Sequence, residues 1–176
     1  MIPHVRPIAL ALVLASAPAA AETLVAPKVL IFDADQATQQ RDAVVLAARR
    51  YATFWNTGDP TYARAALADG FVDETPPPGR VQGPSGPLLA SEGFRKAVPD
   101  LTCEVEQMIV AGDRAVLHLH LRGHFTGSFE GRQGRGEPVA FIATDIYRVV
   151  DGRIAANWHI EDNLTLLRQL GAVPAP

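Results

Sequence analysis

The strongest constraint on the fold lies in the second half of the chain. From Val116 to His124 the residues alternate strictly. His118, His120, Arg122 and His124 fall on one side, and Leu117, Leu119 and Leu121 on the other. A period of two is the signature of a strand with one buried face. This strand is one of a series. Leu101–Val110 and Arg114–Phe125 are joined by Ala111-Gly112-Asp113, and Pro138–Val149 and Arg153–Ile160 by a turn at Asp151-Gly152. Thr126 to Glu137 is a glycine-rich connection, read as a flexible hairpin over a pocket mouth. Short turns between long strands require antiparallel neighbours.

Helical periodicity fills the first half. Val44, Ala48, Tyr51 and Trp55 mark one apolar stripe on a helix from Gln36 to Asn56. Gly58 stops it, and Asp59-Pro60 starts a second, short helix. Phe71 to Thr75 reads as a short strand, and Pro76-Pro77-Pro78-Gly79 as a rigid loop. A third helix spans about Pro84 to Ala97, and a last one Asp162 to Leu170. Helices first and an antiparallel sheet after make an α+β layout, with the helices packed on one sheet face.

The N-terminus reads as an address. Residues 1–21 carry a weakly basic start, an apolar stretch from Ile8 to Leu14, and a small-residue end at Ala19-Ala20-Ala21. We expect a signal peptide, then an extended lead-in over 22–35 and a single domain over 36–176. The expected location is periplasmic or secreted, with no membrane anchor after cleavage. Composition narrows the function further. A formal charge of −3 argues against a nucleic-acid partner. One cysteine, Cys103, rules out an intramolecular disulfide framework. Asp33-Ala34-Asp35 has the spacing of the haloacid-dehalogenase nucleophile motif. However, Ala37 stands where that motif has Thr or Val, and no βα repeats follow.

Four passages together resemble a known family. They are Phe54-Trp55-Asn56-Thr57-Gly58-Asp59, Val98-Pro99-Asp100 with Ala111-Gly112-Asp113-Arg114, Gly123-His124-Phe125-Thr126-Gly127-Ser128-Phe129, and the tail. The tail runs Asp145-Ile146-Tyr147-Arg148, Asp151-Gly152-Arg153-Ile154, Trp158, and Leu166 to Gly171. In order and spacing they resemble the SnoaL-like polyketide (ester) cyclases of the nuclear transport factor 2-like superfamily. The resemblance implies a cone-shaped α+β fold, with a curved antiparallel sheet and helices packed on its concave face. It implies a small-molecule ligand, ring closure by aldol chemistry without a cofactor, and a homodimer paired through the outer sheet face. It also implies an acid/base Asp on the last strands. Here His159 follows Trp158, where the family often has Asp.

Such chemistry needs a carboxylate or imidazole with a perturbed pKa in an apolar cavity. The catalytic candidates are Asp145, in an apolar strand, His159 and Asp162. The simpler reading of Asp162 is a helix N-cap. Candidate substrate contacts are Trp55, Asn56, Asp73, Tyr147, Asn157 and Trp158, with His118, His120, Arg122 and His124 along one strand face. No metal site is expected, although His-x-His on a strand keeps a three-histidine zinc centre open as an alternative. A non-catalytic periplasmic carrier is a further alternative. If Asp151-Gly152 forms a type I turn with a glycine bulge, Asp145 pairs with Asn157. Asp145, Asn157, His159, Phe141 and Tyr147 then share one face, with Ile142, Ile146, Ile154 and Trp158 on the other.

Overall fold

The computed structural model describes residues 22–174. The expected signal peptide over residues 1–21 lies outside them. In chain order the elements are β1 (Val29–Phe32), α1 (Thr38–Thr57), α2 (Pro60–Ala66), β2 (Leu67–Asp73) and α3 (Ser85–Ala97). Next come β3 (Thr102–Ala111), β4 (Arg114–Phe125), β5 (Ser128–Phe129), β6 (Arg132–Gln133), β7 (Glu137–Val150), β8 (Arg153–Glu161) and α4 (Asn163–Gln169). The expected lead-in therefore contains an edge strand, and the glycine-rich connection folds as the small hairpin β5–β6.

The main sheet has the order β1-β3-β4-β7-β8-β2. Its long central pairs, β3–β4, β4–β7 and β7–β8, are antiparallel, as the short turns require. The two edge strands differ, since β1 and β2 each run parallel to their neighbour. Long stretches of chain separate each from its partner, and such crossovers let two strands run the same way where a tight hairpin cannot. The sheet is curved and unclosed, with α1 crossing β3, β4, β7 and β8. Val44, Ala48, Tyr51 and Phe54 of α1 are buried against inward side chains such as Val105, Met108, Leu117 and Tyr147. Gly58 ends α1 in the left-handed conformation, with φ 76°, and its N–H donates to the Phe54 carbonyl. The Arg95 Nη2 donates to the Trp55 carbonyl at 2.7 Å, so α3 also helps to close the end of α1.

The β7–β8 register carries one correction. Asp151 and Gly152 both have positive φ, 50° and 73°, so the hairpin closes through a two-residue turn of the I′ kind. The extra residue sits inside β8 instead. Val149 pairs with Ile154 and Arg148 with Ala156, leaving Ala155 as the bulge. Asp145 therefore faces His159, and Asn157 faces Tyr147. One inserted residue keeps the parity that a type I turn with a glycine bulge would have given. Asp145, Asn157, His159, Phe141 and Tyr147 do share the inner face. Ile154, expected outside, precedes the bulge and turns inward, where it is fully buried.

Candidate active site

The inner face of the sheet, α3 and the loop after β2 enclose a cavity of about 550 Å³. One wall is apolar. Trp55, Phe94, Leu119, Leu121, Phe129 and Phe141 line it, and Phe94 meets Phe141 edge-on at 5.9 Å. The other wall is polar and is built from β2, β7 and β8. It presents Asp73, Asp145, Asn157, His159 and Glu161, with Arg80 reaching in from the proline-rich loop. Apolar space with a few convergent polar groups is the usual form of a small-molecule site.

The polar groups are held in place from behind. Thr75 grips the backbone of His159 twice, with Oγ1 accepting from its N–H at 2.8 Å and donating to its carbonyl at 3.0 Å. Gln82 does the same for Asp73, accepting from its N–H and donating to its carbonyl. The His159 ring lies between two carboxylates. Its Nδ1 is 2.7 Å from Glu161 Oε1, and its Nε2 is 3.0 and 3.2 Å from the Asp73 oxygens. Arg80 lies 3.7 Å from Asp73. Tyr147 donates its hydroxyl to Asp145 Oδ2 at 2.6 Å, and both residues are buried.

These surroundings set the charges. Burial pushes the Asp145 carboxyl up to about 6, although the Tyr147 hydrogen bond and the nearby His159 charge pull the other way. Burial would lower His159. The Glu161 hydrogen bond and the negative charges of Glu161, Asp145 and Asp73 outweigh it and lift the imidazole to about 9. Burial opposes the ionised form of Glu161, but the His159 hydrogen bond and charge hold it below the usual carboxylate range. Asn157 is buried, and its Oδ1 has no hydrogen-bond partner among the described residues. Such an atom is costly to bury unless a ligand or water completes it.

Of the expected site residues, the structure brings Trp55, Asp73, Asp145, Asn157 and His159 to the cavity. Tyr147 acts through Asp145. Asn56 is structural: its side-chain oxygen accepts from the Cys103 N–H at 2.9 Å. Asp162 caps α4, accepting from the Thr165 N–H at 3.0 Å. Trp158 lies opposite Ile146 on the outer face, with the Arg114 guanidinium 5.9 Å from its ring centre.

His118, His120, Arg122 and His124 also lie on the outer face, because the leucines between them fill the inner one. The imidazoles have separate partners. His118 meets Thr144, His120 meets Arg122, and His124 meets Asp100. Among the described residues, no three His, Cys, Asp or Glu side chains are grouped to hold a metal ion. The sequence reasoning missed Glu161 and Arg80. Glu161 was within reach of it, since it stands two places after His159 on the same strand. Arg80 has no such signal, because its loop has no periodicity.

The model of the SnoaL-like polyketide cyclase family matches residues 45–170, and the chain belongs to that family. Solved structures agree. A proposed polyketide cyclase from Bacillus cereus is 35% identical, with a TM-score of 0.79 over 87% of this chain and 97% of that one. TsrD from Streptomyces laurentii is 28% identical, with a TM-score of 0.67 over 76% of this chain and 98% of its own. IdmH from Streptomyces antibioticus, also described as a proposed polyketide cyclase, is 29% identical, with a TM-score of 0.64 over 76% and 99%. No curated protein matches. The fold is thus the nuclear transport factor 2-like cone, and the family points to a cyclase or similar small-molecule function.

Proposed function

We propose that this protein is an exported enzyme that acts on a small, largely apolar carbonyl or ester compound by cofactor-free acid/base chemistry. The reaction class is aldol cyclisation, isomerisation or hydrolysis. The observation that carries this reading is Asp145, a carboxylate buried in an apolar cavity and paired across the hairpin with His159. A carboxyl pushed up to about 6 stays ionised at neutral pH and is a stronger base than an ordinary one. It can take a proton from a carbon beside a carbonyl. The electron pair then moves to the carbonyl oxygen, where His159 supplies a proton. Asn157 offers an unpaired amide oxygen at the same wall for a hydrogen-bond donor of the ligand. The aromatic wall holds the apolar remainder and excludes water.

The test is turnover of a panel of small β-keto esters by wild type, Asp145→Asn and His159→Gln. Each substitution is expected to lower turnover about a hundredfold or more. If both leave turnover within about threefold, the assignment fails. The leader-like residues 1–21 favour a second reading, a non-catalytic periplasmic carrier on the same fold. That reading gains if Asp145 and His159 titrate at ordinary values. We further propose a homodimer through the outer sheet face, where Ile142, Ile146 and Ile160 are exposed.

A further inference from the structure

The acid/base reading leaves open which group gives the proton and which takes it. The geometry around His159 bears on this directly. A neutral imidazole carries one N–H and one lone pair. An ionised carboxylate only accepts hydrogen bonds. Here both ring nitrogens face carboxylate oxygens, Glu161 on the Nδ1 side and Asp73 on the Nε2 side. With a neutral ring, one nitrogen lone pair would face a carboxylate lone pair at hydrogen-bond distance. The alternative is to protonate one carboxylate. The surroundings oppose that. Asp73 also accepts the Thr75 N–H and has Arg80 beside it, and the Arg80 charge also favours the ionised form of Glu161.

We propose that Glu161 is the positioning residue that, with Asp73, holds His159 as an imidazolium, so that His159 is the proton donor and Asp145 the acceptor. This rests on the acid/base reading above and gives it a direction. Asp145 removes a proton from the carbon beside the carbonyl, and the C–H electron pair moves through the carbonyl to its oxygen. The Nε2 proton of His159, which faces Asp73 in the structure, passes to that oxygen once the ligand's carbonyl reaches the ring, giving the enol. Glu161 keeps the Nδ1 proton throughout, so the ring ends neutral and Asp145 ends protonated. In ring closure the enol carbon then attacks the second carbonyl, the enol O–H proton returns to His159, and the new alkoxide takes the proton held by Asp145, which resets the site. The charged and titratable groups around the ring come from several elements: Asp73 from β2, Arg80 from the following loop, Asp145 and Tyr147 from β7, Glu161 from β8, and Tyr51 from α1.

The test needs no substrate. Nitrogen-resolved NMR of the imidazoles is recorded at neutral pH for wild type, Glu161→Gln, Asp73→Asn and Glu161→Asp. Asp162→Ala, which removes a neighbouring charge at the α4 N-cap, is the structural control. Wild type is expected to show both ring nitrogens of His159 protonated. Glu161→Gln should lower the proton affinity of His159 at least about tenfold. Asp73→Asn should act in the same direction and guards against a folding failure in the first variant. Glu161→Asp should restore most of the effect, and Asp162→Ala should leave the titration where it was. A neutral His159 in the wild type, or a Glu161→Gln protein that titrates like wild type, overturns the proposal. If the charge state is found but the turnover test fails, the reaction assignment falls and the positioning role in catalysis falls with it.

Discussion

Replacing Asp145 by Asn should stabilise the fold while sharply lowering turnover. The carboxyl goes from an ordinary value of 3.8 in the unfolded chain to about 6 in the folded protein. At one pH step per 1.36 kcal/mol, ionising it inside the cavity costs about 3 kcal/mol. The sign follows from proton counting. Between those two values the unfolded chain has released the proton and the folded protein still holds it. Stability therefore falls as pH rises through this window, and the loss is complete above the folded value. Asn carries no charge at any pH, is close in shape, and its oxygen can still accept from the Tyr147 hydroxyl. The variant should thus gain on wild type as pH rises, with about half of the roughly 3 kcal/mol developing between about pH 5 and about pH 8. Urea unfolding followed by the fluorescence of Trp55 and Trp158 at several pH values measures this. A difference between the two proteins that stays constant over that range refutes the argument, because burial would then not be what moves Asp145.

Two further outcomes probe the frame and the outer face. At Gly127 an added Cβ would collide with the Lys96 carbonyl oxygen, in the seam where the Gly127 N–H donates to the Ala97 carbonyl. Gly127→Ala should cost about 1–3 kcal/mol and loosen the β5–β6 hairpin over the cavity; an unchanged melting temperature would show that the seam can shift freely. Ile146→Glu on the exposed side of β7 should convert a dimer to a monomer in sedimentation. A wild type that sediments as a monomer at all concentrations removes the dimer altogether.

The fold was legible because its signals are local. The alternation from Val116 to His124 sets the two faces of β4, and the stripe of Val44, Ala48, Tyr51 and Trp55 sets the face of α1. The edge strands were less legible. Val29–Phe32 shows no alternation in burial, and its place beside β3 depends on a parallel pairing that leaves no local pattern. The buried pair Asp145 and His159 could be named from sequence, because charged groups in apolar strands stand out. The histidines of β4 stood out equally and lie on the wrong side of the sheet for the cavity. Alternation says which residues share a face, but not which face the helices cover.

By itself, then, the sequence determined the class of fold, the family, and the polar residues that one strand face carries. Tertiary structure decided what those residues do. A bulge at Ala155, compensating a tighter turn than expected, set Asp145 against His159. Only the parallel docking of β2 beside β8 brought Asp73 to the imidazole, across 86 residues of chain. Charge states depend on distances of a few ångströms in a medium of low polarity. Those distances are fixed by packing between distant segments, which no local pattern records.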